Sequence, residues 1–283
     1  MIADAIVQEG GPDVDIKRNI DCRYRKWTIF KLIVHLLYTP LYTSIIKKYF
    51  TTEFYYVDLF AGSGFGYLSE EDISDADIKG IQNVRIAGSP LIASSIVKEY
   101  FTRLYLNDVD QAKIKLLKKR IEILAKLSKS PRKYPFPLPQ SPLDLDRIKI
   151  CDMDANEAVK KIMKEIEEKY ERMVNKGKGC HVYFFIDPEG LEFKRESLER
   201  IVGSDVQSDI MTLFNSYGAA LQAYNHIHHG YSDSALRECV GNDYAAWIGD
   251  CARMCDRKLK ELSVKGLADS LNYYQAYLGV SMK

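Results

Sequence analysis

The sequence has little net charge, with 40 lysine and arginine residues against 39 aspartate and glutamate residues in 283. This balance gives no argument for nucleic-acid binding by the molecule as a whole. Basic residues do concentrate between Lys113 and Lys133, where Glu122 is the one acidic residue. This segment predicts either a phosphate-facing surface that could bind nucleic acid or a solvated helix face, and its helical apolar spacing favours the solvated face.

Long apolar runs and a dense set of cysteines are also lacking. The most apolar segment, residues 27–38, contains Lys31 and His35 and is followed by Pro40. It is shorter than the roughly 20 residues that span a bilayer. The N-terminus is polar and acidic, so no signal peptide is predicted. Six scattered cysteines fit a reducing compartment. We therefore expect a cytoplasmic protein with no membrane segment.

Neither the cysteines nor the histidines have the spacing of a metal site. Cys251 and Cys255 would share one face of a helix, but no second close pair completes a tetrahedral set. His226, His228 and His229 cannot all lie on one helix face. No metal site is predicted.

Short β-like runs alternate with helical stretches along most of the chain. This alternation predicts an α/β fold with a mostly parallel, doubly wound sheet and helices on both faces. The fourth run is apolar almost throughout, as expected for a central strand. The runs cover residues 54–60, 103–108, 147–151, 181–187 and 209–215, and the helical stretches lie near 89–101, 109–127, 155–175 and 192–202.

Three parts of the chain are predicted. They are an N-terminal helical leader over 1–50, an α/β core over 51–215, and a mainly helical part over 216–283 that packs on the core. Within the leader, the first 21 residues are expected to be loose. A helix over 22–50 is expected to break at Pro40. The pattern after residue 215 indicates either a shortened sheet or a chain that stops early.

Two further segments predict surface loops. Residues 66–88 are polar and acidic, and residues 131–142 contain five prolines. Both interrupt the alternation of strands and helices.

The strongest chemical signal is "VDLFAGSGFG" at residues 57–66, where a strand leads into glycines at 62, 64 and 66. Glycines allow tight turns and close approach to a ligand, and parallel sheets bind nucleotides at the carboxyl ends of their strands. No Gly-Lys-Ser/Thr follows, which excludes a Walker A loop. Tyr67 stands where a dinucleotide fingerprint needs glycine.

Acidic residues lie at or just after the ends of three of the predicted strands. Asp58 precedes the glycines and suits the ammonium of S-adenosylmethionine better than a pyrophosphate. Asp108 is placed to accept hydrogen bonds from ribose hydroxyls. Asp154, or Asp152 in its place, could hold an adenine amino group, although Asp154 would serve equally as a helix N-cap. The predicted S-adenosylmethionine site comprises Asp58, Phe60, Gly62, Gly64, Asp108 and Asp154.

The fourth strand ends in "FFIDPEG" at residues 184–190. This element is similar to the Asp/Asn-Pro-Pro-Tyr loop of enzymes that methylate base amino groups. The similarity implies that Asp187 and the Pro188 carbonyl accept hydrogen bonds from a target amine. Glu189 could act as a general base or orient an amine, with burial tuning its pKa, and Phe193 could supply the missing aromatic ring.

Four motifs together resemble the three-Cys-motif partner protein (TcmP) family, which is methyltransferase-like and accompanies radical-SAM proteins. They are "YVDLFAGSG", "AGSPLIAS" at 87–94, "DANEAV" at 154–159 and "FFIDPEG", within residues 24–215. The resemblance implies a Rossmann-like class I methyltransferase fold, S-adenosylmethionine as cofactor and a radical-SAM three-Cys-motif partner. Asp-Pro-Glu-Gly departs from the family, in which an aromatic residue often follows Asp-Pro.

Three functions are compatible with these patterns. The first is a methyltransferase with catalytic residues Asp187, Pro188 and Glu189 and an unknown acceptor. The second is a cofactor-binding scaffold subunit for the radical-SAM partner, which the altered Asp-Pro loop favours. The third, an NAD-dependent oxidoreductase, is weakened by the poor glycine fingerprint.

Overall fold

The computed structural model describes residues 2–24, 26–49, 53–68, 84–97, 99–129, 142–175, 177–246, 248–250 and 253. The chain forms two compact units. The first comprises Met1–Ile186 with Ser204–Met211, and the second comprises Asp187–Gly203 with Thr212–Lys283. The first unit contains the predicted N-terminal helical part together with most of the predicted core.

Eight strands and eight α-helices have both ends within the described residues, and residues 242–246 and 248–250 are also helical. The strands are β1 (Cys22–Arg23), β2 (Glu53–Asp58), β3 (Phe65–Leu68), β4 (Val84–Ala87), β5 (Arg103–Asn107), β6 (Ile148–Cys151), β7 (Cys180–Ile186) and β8 (Gln207–Thr212). The helices are α1 (Ile2–Gly10), α2 (Lys26–Tyr49), α3 (Ser89–Ser95), α4 (Gln111–Ser128), α5 (Ala155–Val174), α6 (Arg195–Val202), α7 (Ser216–His229) and α8 (Ser234–Val240).

A five-stranded parallel sheet forms the centre of the first unit, in the order β6-β5-β2-β7-β8. If these five strands are renumbered 1 to 5 in the order in which they occur in the sequence, the sheet order is 3-2-1-4-5. This is the order of a doubly wound nucleotide-binding sheet. β2 pairs with β5 on one side and β7 on the other. The predicted α/β class and parallel sheet are confirmed. Each predicted strand is present, although β8 spans Gln207–Thr212 where residues 209–215 were predicted.

The sheet buries large aromatic side chains on the side that carries α2. Tyr56 of β2 and Tyr183 of β7 are register partners, and both are fully buried in one core cluster with Phe101 and Tyr42. Strand side chains alternate between faces, so residues 56 and 58 of β2 point to the same side of the sheet. α2 therefore packs over the face that carries Asp58.

Helix α2 continues through Pro40, so the predicted break there is wrong. A proline within a helix removes one backbone hydrogen bond, but residues beyond it belong to the core. Tyr42 and Ile46 are both buried, and this packing outweighs the lost bond. Residues Thr28–Tyr49 are long and apolar enough to cross a membrane, and 33% of an 18-residue apolar window within them is buried. The apolar helix is therefore longer than the sequence pattern predicted. Length and composition alone do not distinguish a membrane-spanning helix from a core helix.

The first 21 residues are also more ordered than expected. α1 buries Ile2, Ala3, Ala5 and Ile6 in the main core. The predicted loop over 66–88 is wrong at both ends, because β3 and β4 pair antiparallel there. β1 adds a parallel strand beside β3, which gives a second, three-stranded sheet.

The second unit contains helices α6, α7 and α8. Its core is small and rich in alanine, comprising Leu191, Ala219, Ala220, Ala223, Leu236, Ala245 and Ile248. The mainly helical character predicted after residue 215 is confirmed for the described residues. Cys251, Cys255 and most of the proline-rich segment lie outside the described residues.

Candidate functional site

The turn after β2 and the start of the loop after β5 meet at one edge of the sheet. The Gly62 amide donates a 2.9 Å hydrogen bond to Asp108 Oδ2. The other oxygen, Oδ1, accepts the Asp110 amide at 2.9 Å. Asp108 is 8% exposed. The sequence-predicted residues Gly62 and Asp108, 46 positions apart, are therefore in direct contact.

Asn107 holds the same edge together and was missed by the sequence analysis. Its amide nitrogen donates to the Leu59 carbonyl at 3.1 Å and to the Met153 carbonyl at 3.0 Å. Its amide oxygen accepts the Met153 backbone N–H at 3.3 Å. Asn107 thus joins the loops that follow β2 and β6. The available signal was a buried amide directly after the apolar residues 104–106.

The glycines of the loop have different roles. Gly62 has φ +60°, and a Cβ built there meets no atom within 4 Å. Its backbone therefore turns sharply beside open space. Gly64 has φ +89°, but a Cβ there would lie 2.9 Å from Leu117 and 3.3 Å from Leu91. Gly64 permits internal packing, whereas Gly62 leaves room for a ligand.

Asp58 lies at the end of β2 and is fully buried. Its Oδ1 accepts the Phe60 amide at 3.2 Å, and its Oδ2 accepts the Tyr56 hydroxyl at 3.2 Å. The half-buried Phe60 is thus tied to Asp58 through its backbone. The Asp58 carboxylate therefore holds the start of the loop by a hydrogen bond from the buried side.

A buried ion pair supports the loop from the other direction. Arg120 Nη1 and Nη2 donate to the two Asp21 carboxylate oxygens at 2.6 and 2.9 Å. Nη1 also donates to the Ser63 carbonyl at 3.0 Å. The guanidinium lies 3.9 Å from the Phe65 ring centre. Arg120 therefore does not belong to the predicted basic surface, although it lies within that segment.

All five N–H donors of Arg120 have acceptors. The remaining two bonds run from Nε to the Val14 carbonyl at 3.0 Å and from Nη2 to the Asp15 carbonyl at 2.9 Å. The Ser63 hydroxyl also donates to Asp21. These bonds attach the N-terminal segment to the glycine loop. The signal missed in the sequence was an arginine at a buried position of the apolar pattern of α4.

The described part of the basic segment, which ends at Lys129, retains a basic surface on α4. Five lysines of α4 and its C-cap are exposed, and the exposed Glu122 lies between them. They are Lys115, Lys118, Lys119, Lys126 and Lys129. Their helical spacing places them on one side of α4.

Asp154 performs the helix-capping role that the sequence allowed. Its Oδ1 accepts the amides of Asn156 at 2.9 Å and Glu157 at 3.3 Å, which caps α5. Asp152 and Asp154 are both exposed. An adenine contact by either residue stays a prediction.

The Asp-Pro loop belongs to the second unit. Asp187 is half-buried, Pro188 is buried and Glu189 is exposed. The Glu189 amide donates to Glu192 Oε1 at 2.9 Å, and Asn215 Nδ2 donates to the Glu189 carbonyl at 2.7 Å. The exposure of Glu189 removes the burial on which its predicted role as a tuned general base depended.

Phe193 is buried, at 7% exposure. A substrate base could stack on this ring only after a rearrangement, so the structure does not offer Phe193 as the missing aromatic. Among the described residues, no group of three or more His, Cys, Asp and Glu side chains is placed to hold a metal ion.

The hydrogen-bond acceptors of Asp108, at the edge of the first unit, suit a nucleoside with adjacent hydroxyls. A carboxylate offers about four acceptor positions, and each Asp108 oxygen uses one on a backbone amide. Acceptor capacity therefore remains beside the open side of Gly62. No protein-family model and no curated protein matches the sequence.

Proposed function

We propose that the chain is an S-adenosylmethionine-dependent methyltransferase, with the cofactor at the β2–β5 edge of the sheet. The observation that carries this proposal is the contact between Gly62 and Asp108. It combines a turn beside open space with a carboxylate that retains acceptor capacity, at the carboxyl ends of two central parallel strands. Open α/β sheets bind ligands at this position.

The chain's own residues would bind and orient the cofactor. Asp108 would accept hydrogen bonds from the ribose hydroxyls, Gly62 would allow close approach, and Asp58 would supply negative charge below the loop. Phe60 and Gly64 shape the loop through their backbones, and Asp154 is proposed as an adenine contact at its rim. The bound cofactor supplies an electrophilic methyl group.

An NAD site is less well supported. In dinucleotide-binding folds, the glycine loop opens directly into a helix whose N-terminus binds the pyrophosphate. Here the chain leaves the loop as strand β3. The next described helix, α3, starts at Ser89 and is seven residues long. These differences favour a ligand without a pyrophosphate.

We further propose membership of the three-Cys-motif partner family, and with it a radical-SAM partner. The "GSP" motif supports this because its residues contact the loop. The Gly88 amide donates to the Gly64 carbonyl at 2.8 Å, and a Cβ at Gly88 would lie 3.2 Å from that carbonyl oxygen. On this proposal, Asp187, Pro188 and Glu189 bind a methyl acceptor other than a flipped base.

A second candidate is a non-catalytic scaffold subunit that binds the cofactor for its partner. The burial of Phe193 and the exposure of Glu189 favour it, because the Asp-Pro loop then lacks an aromatic platform and an enclosed base.

Calorimetric titration tests the cofactor proposal. S-adenosylhomocysteine and S-adenosylmethionine should bind at one site, and NAD should not. Asp108→Asn should weaken binding, whereas Asp110→Asn, at an exposed helix cap, should not. A folded sample that binds neither sulfur compound would exclude the proposal. Radiolabelled methyl transfer to the partner or its substrate then separates the enzyme from the scaffold.

A further inference from the structure

Asp58 is linked through buried groups to a histidine on α2. The Tyr56 hydroxyl lies 3.2 Å from Asp58 Oδ2 and 3.4 Å from His35 Nε2. His35 and Tyr56 are fully buried, and their rings lie 5.7 Å apart, centre to centre. Three adjacent side chains thus connect α2 to the end of β2.

The partners of His35 define its tautomer. Nε2 lies 3.3 Å from the Ser89 carbonyl oxygen, which can only accept, so Nε2 carries the proton. Nδ1 lies 2.9 Å from the Tyr183 hydroxyl and accepts from it, because the other acceptor near that hydroxyl, Met211 Sδ, is weaker and lies 3.6 Å away. Thr39 does not compete for Nδ1, because its hydroxyl donates to the His35 backbone carbonyl at 2.7 Å.

This tautomer sets the direction of every hydrogen bond in the series from Tyr183 to Asp58. His35 Nε2–H points toward the Tyr56 oxygen as well as the Ser89 carbonyl, so the Tyr56 proton is available to Asp58. Tyr183, His35 and Tyr56 then donate in succession, and Asp58 is the final acceptor. Burial lowers the pKa of His35 to about 3 and raises that of Tyr56 well above its ordinary value. Both groups therefore remain neutral donors at neutral pH.

These hydrogen bonds also give a structural role to part of the "GSP" motif. The Ser89 carbonyl holds His35, while Gly88 contacts Gly64 of the loop. Helix α2, helix α3 and strand β2 are thereby fixed around one carboxylate.

We infer that His35 and Tyr56 are positioning residues for Asp58, which they hold in the orientation that shapes the cofactor loop. The inference rests on the proposed cofactor function. Asp58 in turn binds the Phe60 amide, so the hydrogen-bond chain runs from the core of the first unit to the loop that carries Gly62.

The first test compares Tyr56→Phe with Tyr100→Phe. Tyr56→Phe removes the donor to Asp58 and keeps the ring. Tyr100 is also buried, and its hydroxyl has no hydrogen-bond partner among the described residues. Calorimetry with S-adenosylhomocysteine should show about tenfold weaker binding for Tyr56→Phe and unchanged binding for Tyr100→Phe. Circular dichroism checks that both variants are folded.

His35 variants provide a rescue test. His35→Gln retains a donor and an acceptor and should keep more affinity than His35→Leu, which has neither. If the wild type binds and Tyr56→Phe binds equally well, the inference is overturned while the proposed function survives. If the wild type does not bind, the proposed function fails and the positioning role fails with it.

A cofactor-independent measurement tests the direction of the chain. Long-range ¹⁵N–¹H correlation spectra at pH 6 should show a neutral His35 ring protonated on Nε2, with its signal assigned by its loss in His35→Gln. A ring protonated on Nδ1, or a charged ring, would overturn the inference.

Discussion

Removing Asp21 should strongly destabilise the first unit. Neither the Asp21 nor the Arg120 side chain is exposed to solvent. Asp21→Ala removes the acceptors at 2.6 and 2.9 Å and leaves a buried guanidinium with no carboxylate in its place. Loss of one partner of a buried ion pair costs about 3–5 kcal/mol. The three carbonyl acceptors of Arg120 remain, so the lower part of that range is expected.

Urea unfolding measures this loss directly. With a slope of about 2 kcal/mol per molar urea, the midpoint should fall by roughly 2 M. Asp13→Ala is the matched control, because Asp13 is an exposed acidic residue of the same N-terminal segment. It should change stability by less than about 0.5 kcal/mol.

A double variant separates the ion pair from simple packing. Asp21→Leu with Arg120→Met removes both charges, and such replacements are often neutral. It should recover much of the stability lost in Asp21→Ala. If Asp21→Ala is as stable as Asp13→Ala, the N-terminal segment is not held by this pair and the account of the loop's support is refuted.

Two further predictions concern the loop and the histidine. Gly62→Ala should lower the free energy of unfolding by about 1–2 kcal/mol, because its backbone is left-handed, and it should weaken S-adenosylhomocysteine binding. Gly64→Ala should lower the free energy of unfolding further, because its Cβ meets Leu117. Equal urea midpoints for the two variants would contradict this prediction. The pKa of His35 falls from 6.5 to about 3 on folding, so the unfolded chain binds more protons in that window and stability drops as pH falls from 6.5 toward 3. His35→Gln, unfolded in urea from pH 7 to 4, should lack up to about 1.4 kcal/mol per pH unit of this slope; an unchanged slope would contradict the assignment.

The parallel sheet could be predicted because each strand carries its own signal. β7 is apolar except for His181 and is buried along its whole length. Asp58 directly follows an apolar run, and Asp108 follows one after a single residue, Asn107. Carboxyl ends of adjacent parallel strands meet at one edge. The contact between Gly62 and Asp108 follows from that arrangement.

Contacts between distant segments could not be predicted in this way. Arg120 and Asp21 are 99 positions apart, and nothing local distinguishes this arginine from the lysines around it except its place in the apolar pattern of α4. The predicted break at Pro40 was wrong for a similar reason. Local propensity favours a break there, but burial of Tyr42 beyond the proline outweighs it.

The direct test of the cofactor site is photolabelling with radiolabelled S-adenosylmethionine, followed by peptide mapping. We expect label on the peptide that contains Gly62 or on the one that contains Asp108, and we expect unlabelled S-adenosylhomocysteine to block it. Absence of label from the folded protein, or blockable label confined to other peptides, would contradict a cofactor site at the β2–β5 edge.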